Sequence, residues 1–147
     1  MNFLYNILVF KATILLSIIA FFSKKIKLFV DGRKETFSKI EILKDQKTIW
    51  IHAASLVICY MPLDSKANAK KFIETVNPKF AIFIKYEFWP NFLNELKKKE
   101  IPTILVSGIL RKNQIFFKSY GGFMRKSLQA FFCAESNFKR VIKFNSF

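Results

Sequence analysis

The chain has 147 residues, enough for about one domain with a modest core. Lysine and arginine outnumber aspartate and glutamate by 25 to 10, giving a formal net charge of +15. This balance favours an anionic partner, such as nucleic acid, an acidic membrane surface or a phosphorylated substrate; a composition biased toward Lys, Ile, Phe and Asn explains it equally well. One histidine, His52, argues against a zinc site, and isolated Cys59 and Cys133 in apolar runs indicate buried thiols in a reducing compartment.

The first segment, Phe3–Phe22, is twenty residues long with one charge, Lys11. This length spans a bilayer core, so we predict a membrane anchor, with a buried core helix as the alternative. A cleaved signal peptide fits worse, because no small-x-small site follows. Lysines at 24, 25 and 27 place the rest of the chain on the cytoplasmic side. The lysine within the segment leaves open whether it crosses the bilayer or lies in one leaflet.

Three parts are predicted: an anchor with its basic flank (1–27), a linker or surface helix (28–47) and an α/β domain (48–147). In that domain strands alternate with helices, which predicts a Rossmann-like parallel sheet. The strands are expected at 48–53, 57–60, 80–84 (buried on both faces) and 102–107. The helices are expected after a cap at Asp64 or Ser65, with Ala69, Phe72, Ile73 and Val76 on one face, and then at 90–99 and 120–132.

One junction in this pattern is inconsistent. The strand at 48–53 is followed after three residues by the strand at 57–60. Parallel neighbours need a crossover of about a dozen residues or more, so these two strands have no connection long enough to pair. The sequence therefore predicts that a segment is missing near Leu56.

The stretch from Lys85 to Asn91 lies at the carboxyl end of the strand at 80–84, on the turn into a helix that begins at Pro90. Ligands bind at this edge of open α/β sheets, so Glu87 is a candidate binding residue. The alternative is that Glu87 caps the helix. His52, at another strand end and without an evident acidic partner, is more typical of a structural residue.

A basic region without acidic residues extends from Ile101 to Ala134. Its bases are Arg111, Lys112, Lys118, Arg125 and Lys126. They form either a solvated basic face or an anion site, and the neighbouring anchor favours anionic headgroups over nucleic acid. No glycine-rich phosphate loop and no nucleophile elbow occur.

Four segments resemble the amino-terminal half of 3-deoxy-D-manno-octulosonic acid (Kdo) transferases, in the form found in Bacteroidetes-type bacteria. They are Ile-Trp-Ile-His-Ala-Ala-Ser-Leu (49–56), Pro-Leu-Asp (62–64), Lys-Tyr-Glu-Phe-Trp-Pro-Asn (85–91) and Arg-Lys-Asn-Gln-Ile-Phe-Phe (111–117). The resemblance implies a GT-B glycosyltransferase half at the cytoplasmic face of the inner membrane. It implies transfer of Kdo from CMP-Kdo to a lipid A precursor without a metal or other cofactor. Glu87, Arg111 and Ser55 would then contact substrate.

The chain departs from this family at two places. In the family the Ala-Ser turn continues into Gly-Glu, whose Glu is taken as the general base; here Val57 follows Leu56, so no catalytic residue is predicted. The missing piece includes a helix, a strand and another helix, and the chain stops at Phe147 where the linker and donor domain would follow. We therefore expect an incomplete, inactive Kdo transferase half. The alternative is a small, non-enzymatic, membrane-anchored basic protein that binds acidic lipid.

Overall fold

The computed structural model of the chain describes residues 2–53, 59–85, 88–108 and 113–131. Three helices come first: α1 (Asn2–Phe22), α2 (Lys24–Lys34) and α3 (Thr36–Glu41). Three strands then alternate with helices, in the order β1 (Ile49–His52), α4 (Lys66–Val76), β2 (Phe80–Ile84), α5 (Pro90–Lys98) and β3 (Thr103–Val106). Two short 3-10 helices, Ile115–Phe117 and Ser119–Gly121, lead into α6 (Gly122–Leu128). The mixed α/β architecture with an apolar amino-terminal helix is confirmed.

The sheet is parallel, with the strand order β1-β2-β3. Trp50 pairs with Ala81 and His52 with Phe83, while Phe83 also pairs with Leu105 on the other side. Beyond β3, Phe131 forms an isolated parallel bridge to Thr103. Each strand therefore lies beside the one before it, and the order does not reverse within the described part of the chain.

This unreversed order places the helices on one face of the sheet, because parallel crossovers are almost always right-handed. The contacts agree. The Trp50 ring lies 5.1 Å from that of Phe72 on α4 and 5.8 Å from that of Phe92 on α5. Together with Phe83 and Leu96 these residues form the centre of the core, and all are buried. We call this side the covered face.

The other side, which we call the open face, consists of apolar residues that are only partly covered. Ile49 is 65% exposed and Ile51 58% exposed. The remaining residues of this face are half-buried or exposed: Phe80, Ile82, Ile84, Ile104 and Val106. The prediction that β2 is buried on both faces is therefore wrong, because the described helices in contact with the sheet lie on the covered face.

Helix α4 agrees with its predicted boundaries. The Ser65 hydroxyl accepts a hydrogen bond from the Asn68 amide (3.1 Å), and Asn77 ends the helix in a left-handed conformation with φ 40°. Its four predicted core residues are buried: Ala69, Phe72, Ile73 and Val76. Helix α6 is shorter than predicted, since it ends at Leu128 and the chain then turns to reach the bridge at Phe131.

The predicted strand at 57–60 does not form at Cys59 and Tyr60; the rest of it lies outside the described residues. Tyr60 is engaged elsewhere, because its carbonyl accepts a hydrogen bond from the Thr36 hydroxyl. Its ring lies against Gly32 so closely that a Cβ there would overlap it. The chain thus passes from β1 to α4, and that helix provides the crossover to β2. Cys59 is a free, half-buried thiol, while Cys133 lies outside the described residues.

Candidate functional site at the carboxyl edge of the sheet

The carboxyl ends of the strands form the edge at which open α/β sheets bind ligands. Two of the strands leave this edge through residues with positive φ, Lys85 at 67° and Ser107 at 53°. Both side chains are exposed, and the Lys85 amide donates to the Val106 carbonyl at 3.0 Å. Asn77 and Glu100 also have positive φ at the opposite edge, so the carboxyl edge is the candidate site because open α/β sheets bind ligands there.

His52 ends β1 at the same edge and is buried against aromatic rings. Its ring centroid lies 5.2 Å from that of Phe83 and 5.6 Å from that of Trp89, which meets it edge-on. A histidine enclosed in this way packs as part of the core. The arrangement agrees with the structural interpretation of His52 and places Trp89, from the Glu-Phe-Trp segment, over the end of β1.

Asp64 contributes a carboxylate to the start of α5. Its two oxygens accept hydrogen bonds from the amides of Asn91 and Phe92, each at 3.2 Å. These amides belong to the first turn of the helix, where they have no intrahelical partner and where negative charge is stabilised. The Asn91 side chain in turn donates to the Asp64 carbonyl (2.5 Å), so the two segments are joined twice.

The apolar helix α1 reaches the same point. The Tyr5 hydroxyl donates to Asp64 Oδ2 at 2.6 Å, and Asn6 Oδ1 accepts from the Asn91 side chain at 3.2 Å. The Tyr5 ring also contacts Phe123 on α6, with the centroids 5.5 Å apart. We call Tyr5, Asn6, Asp64 and Asn91 the polar junction; it fastens the amino-terminal end of α1 to the loop before α4 and to the start of α5.

Burial raises the pKa of Asp64 above its ordinary value of 3.8, although the hydrogen bonds that it accepts from Tyr5, Asn91 and Phe92 act in the opposite direction. Only 5% of the residue is exposed. The removal of a carboxylate from water costs more here than its three donors return. The polar junction is therefore sensitive to the protonation of a single buried group.

The substrate contacts predicted by resemblance, Ser55, Glu87 and Arg111, all lie outside the described residues. The structure does locate three bases of the predicted basic region. Arg125 donates to the carbonyls of Phe116 (2.6 Å) and Lys118 (2.9 Å), so it stabilises the turn before α6. Lys118 and Lys126 are exposed.

The polar junction was not foreseen from the sequence. Of the two caps predicted for α4, Asp64 and Ser65, it is Ser65 that caps the helix. The signal that could have revealed it lies within the apolar segment, where Tyr5 and Asn6 are adjacent polar residues near the start of the helix. Such residues need partners when the helix packs against protein.

A family model described as 3-deoxy-D-manno-octulosonic-acid transferase (kdotransferase) matches residues 56–141, more than half of the chain. The chain belongs to the Kdo transferase family. The matched region includes α4, β2, α5 and β3, together with the Glu-Phe-Trp segment at the carboxyl edge. The resemblance drawn from the sequence is thereby confirmed.

Two curated relatives support the assignment. A bifunctional glycosyltransferase/methyltransferase of Fusobacterium nucleatum is 23% identical over 79% of this chain, and a 3-deoxy-D-manno-octulosonic acid transferase of Haemophilus influenzae is 35% identical over 35% of it. These alignments cover 25% and 12% of the respective relatives, so the chain spans a quarter or less of either one. No solved structure matches.

The Fusobacterium alignment is longer than the part of the chain that it covers. It extends over 164 positions, whereas 79% of 147 residues is about 116. About 48 positions of the relative therefore have no counterpart in this chain. The relative therefore has residues within the aligned region that this chain lacks.

Proposed function

We propose that this chain is the acceptor-side part of a Kdo transferase and that it transfers no Kdo by itself. In the complete reaction, a sugar hydroxyl of the lipid A precursor attacks the anomeric carbon of CMP-Kdo, the new glycosidic bond forms, and CMP leaves. The chain would work at the cytoplasmic face of the inner membrane, where acceptor and anchor meet. Family membership and the exposed apolar helix support this assignment.

The observation that carries the proposal of inactivity is the unreversed strand order β1-β2-β3. Open α/β sheets bind ligands in the crevice where the strand order reverses, because the loops at the carboxyl edge separate there. The described sheet has no such reversal. The segment that the family resemblance implies is missing near Leu56 would supply this reversal, together with helices for the open face and the family's general base.

The cost of this loss is large on two counts. A positioned general base contributes about 10²–10⁴-fold to a rate. Bringing donor and acceptor together in reacting geometry is worth about 7–11 kcal/mol at its best. A carboxylate restored after Leu56 alone would lie on a loop without its supporting helix and strand, and a loosely held carboxylate is a poor base.

The test is transfer of labelled Kdo from CMP-Kdo to a lipid A precursor by the purified chain. The positive control is the Haemophilus transferase, and a second sample is this chain with Gly-Glu inserted after Leu56. Both forms of this chain should match the blank without enzyme. Transfer above that blank by either form would refute the proposal.

A residual acceptor site is the second part of the proposal. Glu87, Arg111 and Ser55 correspond to substrate-side positions in the family, and a charge-assisted hydrogen bond is worth about 1.5–3 kcal/mol. Arg111→Ala should therefore weaken binding of a phosphorylated lipid A analogue by about tenfold or more. The matched control is Lys126→Ala, at an exposed base of the same region. Equal binding by both variants would mean that Arg111 does not contact the acceptor and belongs to a solvated basic face.

A non-enzymatic role remains the second candidate function: a basic membrane protein that binds acidic lipid in general. The observation that favours it is the apolar surface of α1 directly before Lys24, Lys25 and Lys27. Competition decides between the two. Displacement of the bound lipid A analogue by equimolar phosphatidylglycerol supports general lipid binding, whereas retention supports the acceptor site.

A further inference from the structure

Helix α1 has two dissimilar faces. Its half-buried residues recur at helical spacing and include Tyr5, Asn6, Val9, Leu16 and Ala20. The residues on the opposite side, which we call the outer face of α1, are all exposed: Leu4, Leu8, Lys11, Leu15, Ile18 and Phe22. Tyr5 and Asn6 thus face protein, whereas Lys11 and most of the apolar side chains are exposed.

The contacts of α1 with the rest of the chain extend along the helix. At one end Tyr5 and Asn6 belong to the polar junction. Further along, Thr13 and Ser17 line a groove with Arg33 and Lys34 of α2. Residues 5 and 17 are about 18 Å apart along the helix, so α1 contacts protein near both ends, while residues 10–15 between them are exposed.

This packing conflicts with a helix that crosses the bilayer. Six of the eleven residues of α2 are charged, and α2 runs beside α1. A crossing α1 would carry these charges and the buried Asp64 into the hydrocarbon layer, where ionised groups are costly. It would also place Lys11 near the middle of the membrane.

We propose that α1 lies in the plane of the membrane, with its outer face inserted into one leaflet and the protein above it. At the shallow depth typical of such helices, about 5–10 Å, the stem of Lys11 can reach the headgroups. Lys24, Lys25 and Lys27 follow directly and supply positive charge for anionic headgroups. The partner of this surface is therefore an anionic leaflet.

The proposal concerns attachment and does not depend on Kdo chemistry. Its test uses vesicles of phosphatidylglycerol and phosphatidylethanolamine, which contain neither donor nor acceptor. A failed transfer assay therefore leaves it unaffected, and a failure of this test leaves the family assignment intact.

Depth is measured with spin labels on the full chain, in a Cys59→Ser, Cys133→Ser background. Labels are attached through Leu4→Cys, Leu8→Cys, Leu15→Cys or Phe22→Cys, with Ile42→Cys, 75% exposed after α3, as the aqueous reference. The four outer-face labels should share one shallow depth. A gradient with the central labels deepest and the terminal ones at opposite surfaces would show a crossing helix and overturn the proposal.

Affinity gives an independent measure. Leu8→Glu and Ile49→Glu alter side chains that are equally exposed (65%), one on the outer face and one on the open face of the sheet. Leu8→Glu should weaken vesicle binding by about tenfold or more, and Ile49→Glu should leave it within about twofold. Equal losses contradict the assigned surface. The proposal is also overturned if the chain does not bind vesicles and instead forms a dimer that Leu8→Glu abolishes. That result would show that a second copy of the chain covers the outer face of α1.

Discussion

The outer face of α1 and the open face of the sheet are both exposed and apolar, yet their surroundings differ. The first contains Lys11 and is followed by three lysines, while its helix is hydrogen-bonded within itself. The second lies on parallel strands, which in folded domains are covered on both faces. Exposure of apolar residues alone does not identify a partner. Basic residues and a helix whose backbone is hydrogen-bonded within itself suit lipid, whereas a parallel sheet with one face left uncovered by the described helices suits a protein partner.

The largest effect is expected when the helix that carries one of these two surfaces is deleted and membrane association is measured. A chain that begins at Asp31 lacks α1 and its lysines but keeps the whole sheet. It should move from the membrane pellet to the supernatant at high salt, because one long apolar helix dominates membrane affinity. Fractionation with the full chain as control measures this. Retention of the shortened chain in the pellet would mean that the open face, or another surface, binds the membrane.

The next effect contrasts the two faces of the sheet. Phe83→Ala removes a fully buried ring from the covered face and should lower the free energy of unfolding by about 3–5 kcal/mol. Ile51→Ala, on the neighbouring strand but 58% exposed, should cost much less, about 1 kcal/mol or below. Urea unfolding in one detergent gives both values. A cost for Ile51→Ala near that of Phe83→Ala would show that the open face is covered in solution.

Local pattern was enough to predict most of the elements. The continuous apolar run at 80–84 gave β2, Pro90 marked the first residue of α5, and Ser65 and Asn77 bounded α4. Each of these signals acts within a few residues through capping, spacing or backbone restriction. The inconsistency predicted near Leu56 depended on a strand at 57–60, which does not form at Cys59 and Tyr60.

The sidedness of the sheet could not be predicted in the same way. Ile82 and Ile84 are apolar, as residues covered by helices usually are. Only the strand order decides which face of the sheet the helices cover. The polar junction could not be predicted for a related reason. Tyr5 and Asp64 are 59 residues apart, and their contact depends on how α1 packs against the rest of the chain. The predicted site residues at 55, 87 and 111 fall outside the described part of the chain, so they remain predictions.

A smaller effect tests what holds α1 in place. Tyr5→Phe keeps the ring against Phe123 but removes the hydroxyl that donates to Asp64, leaving a buried carboxylate with one donor fewer. The free energy of unfolding should fall by about 1–3 kcal/mol. Tyr120→Phe, at an exposed ring, is the matched control and should cost less than about 0.5 kcal/mol. Equal losses of unfolding free energy for the two variants would mean that the Tyr5 hydroxyl does not stabilise the polar junction.

The smallest effect is the pH dependence of the same junction. Because burial raises the pKa of Asp64 above its ordinary value of 3.8, the folded state holds this proton more tightly than the unfolded state. The contribution of Asp64 to stability is then fully present below that ordinary value and is lost as the pH rises through the raised pKa. The stability of the wild type relative to Asp64→Asn should therefore decline as the pH increases from 3.8 toward neutrality.

The slope of this decline cannot exceed about 1.4 kcal/mol per pH unit, since one proton is involved. Urea unfolding of the wild type, Asp64→Asn and the exposed-site control Asp45→Asn at a series of pH values gives the slope, with the control correcting for the general effect of removing a carboxylate. A rise in the relative stability of the wild type over this range would mean that the donors from Tyr5, Asn91 and Phe92 outweigh burial. The polar junction would then hold a charged Asp64 favourably, and α1 would be fastened most firmly at neutral pH.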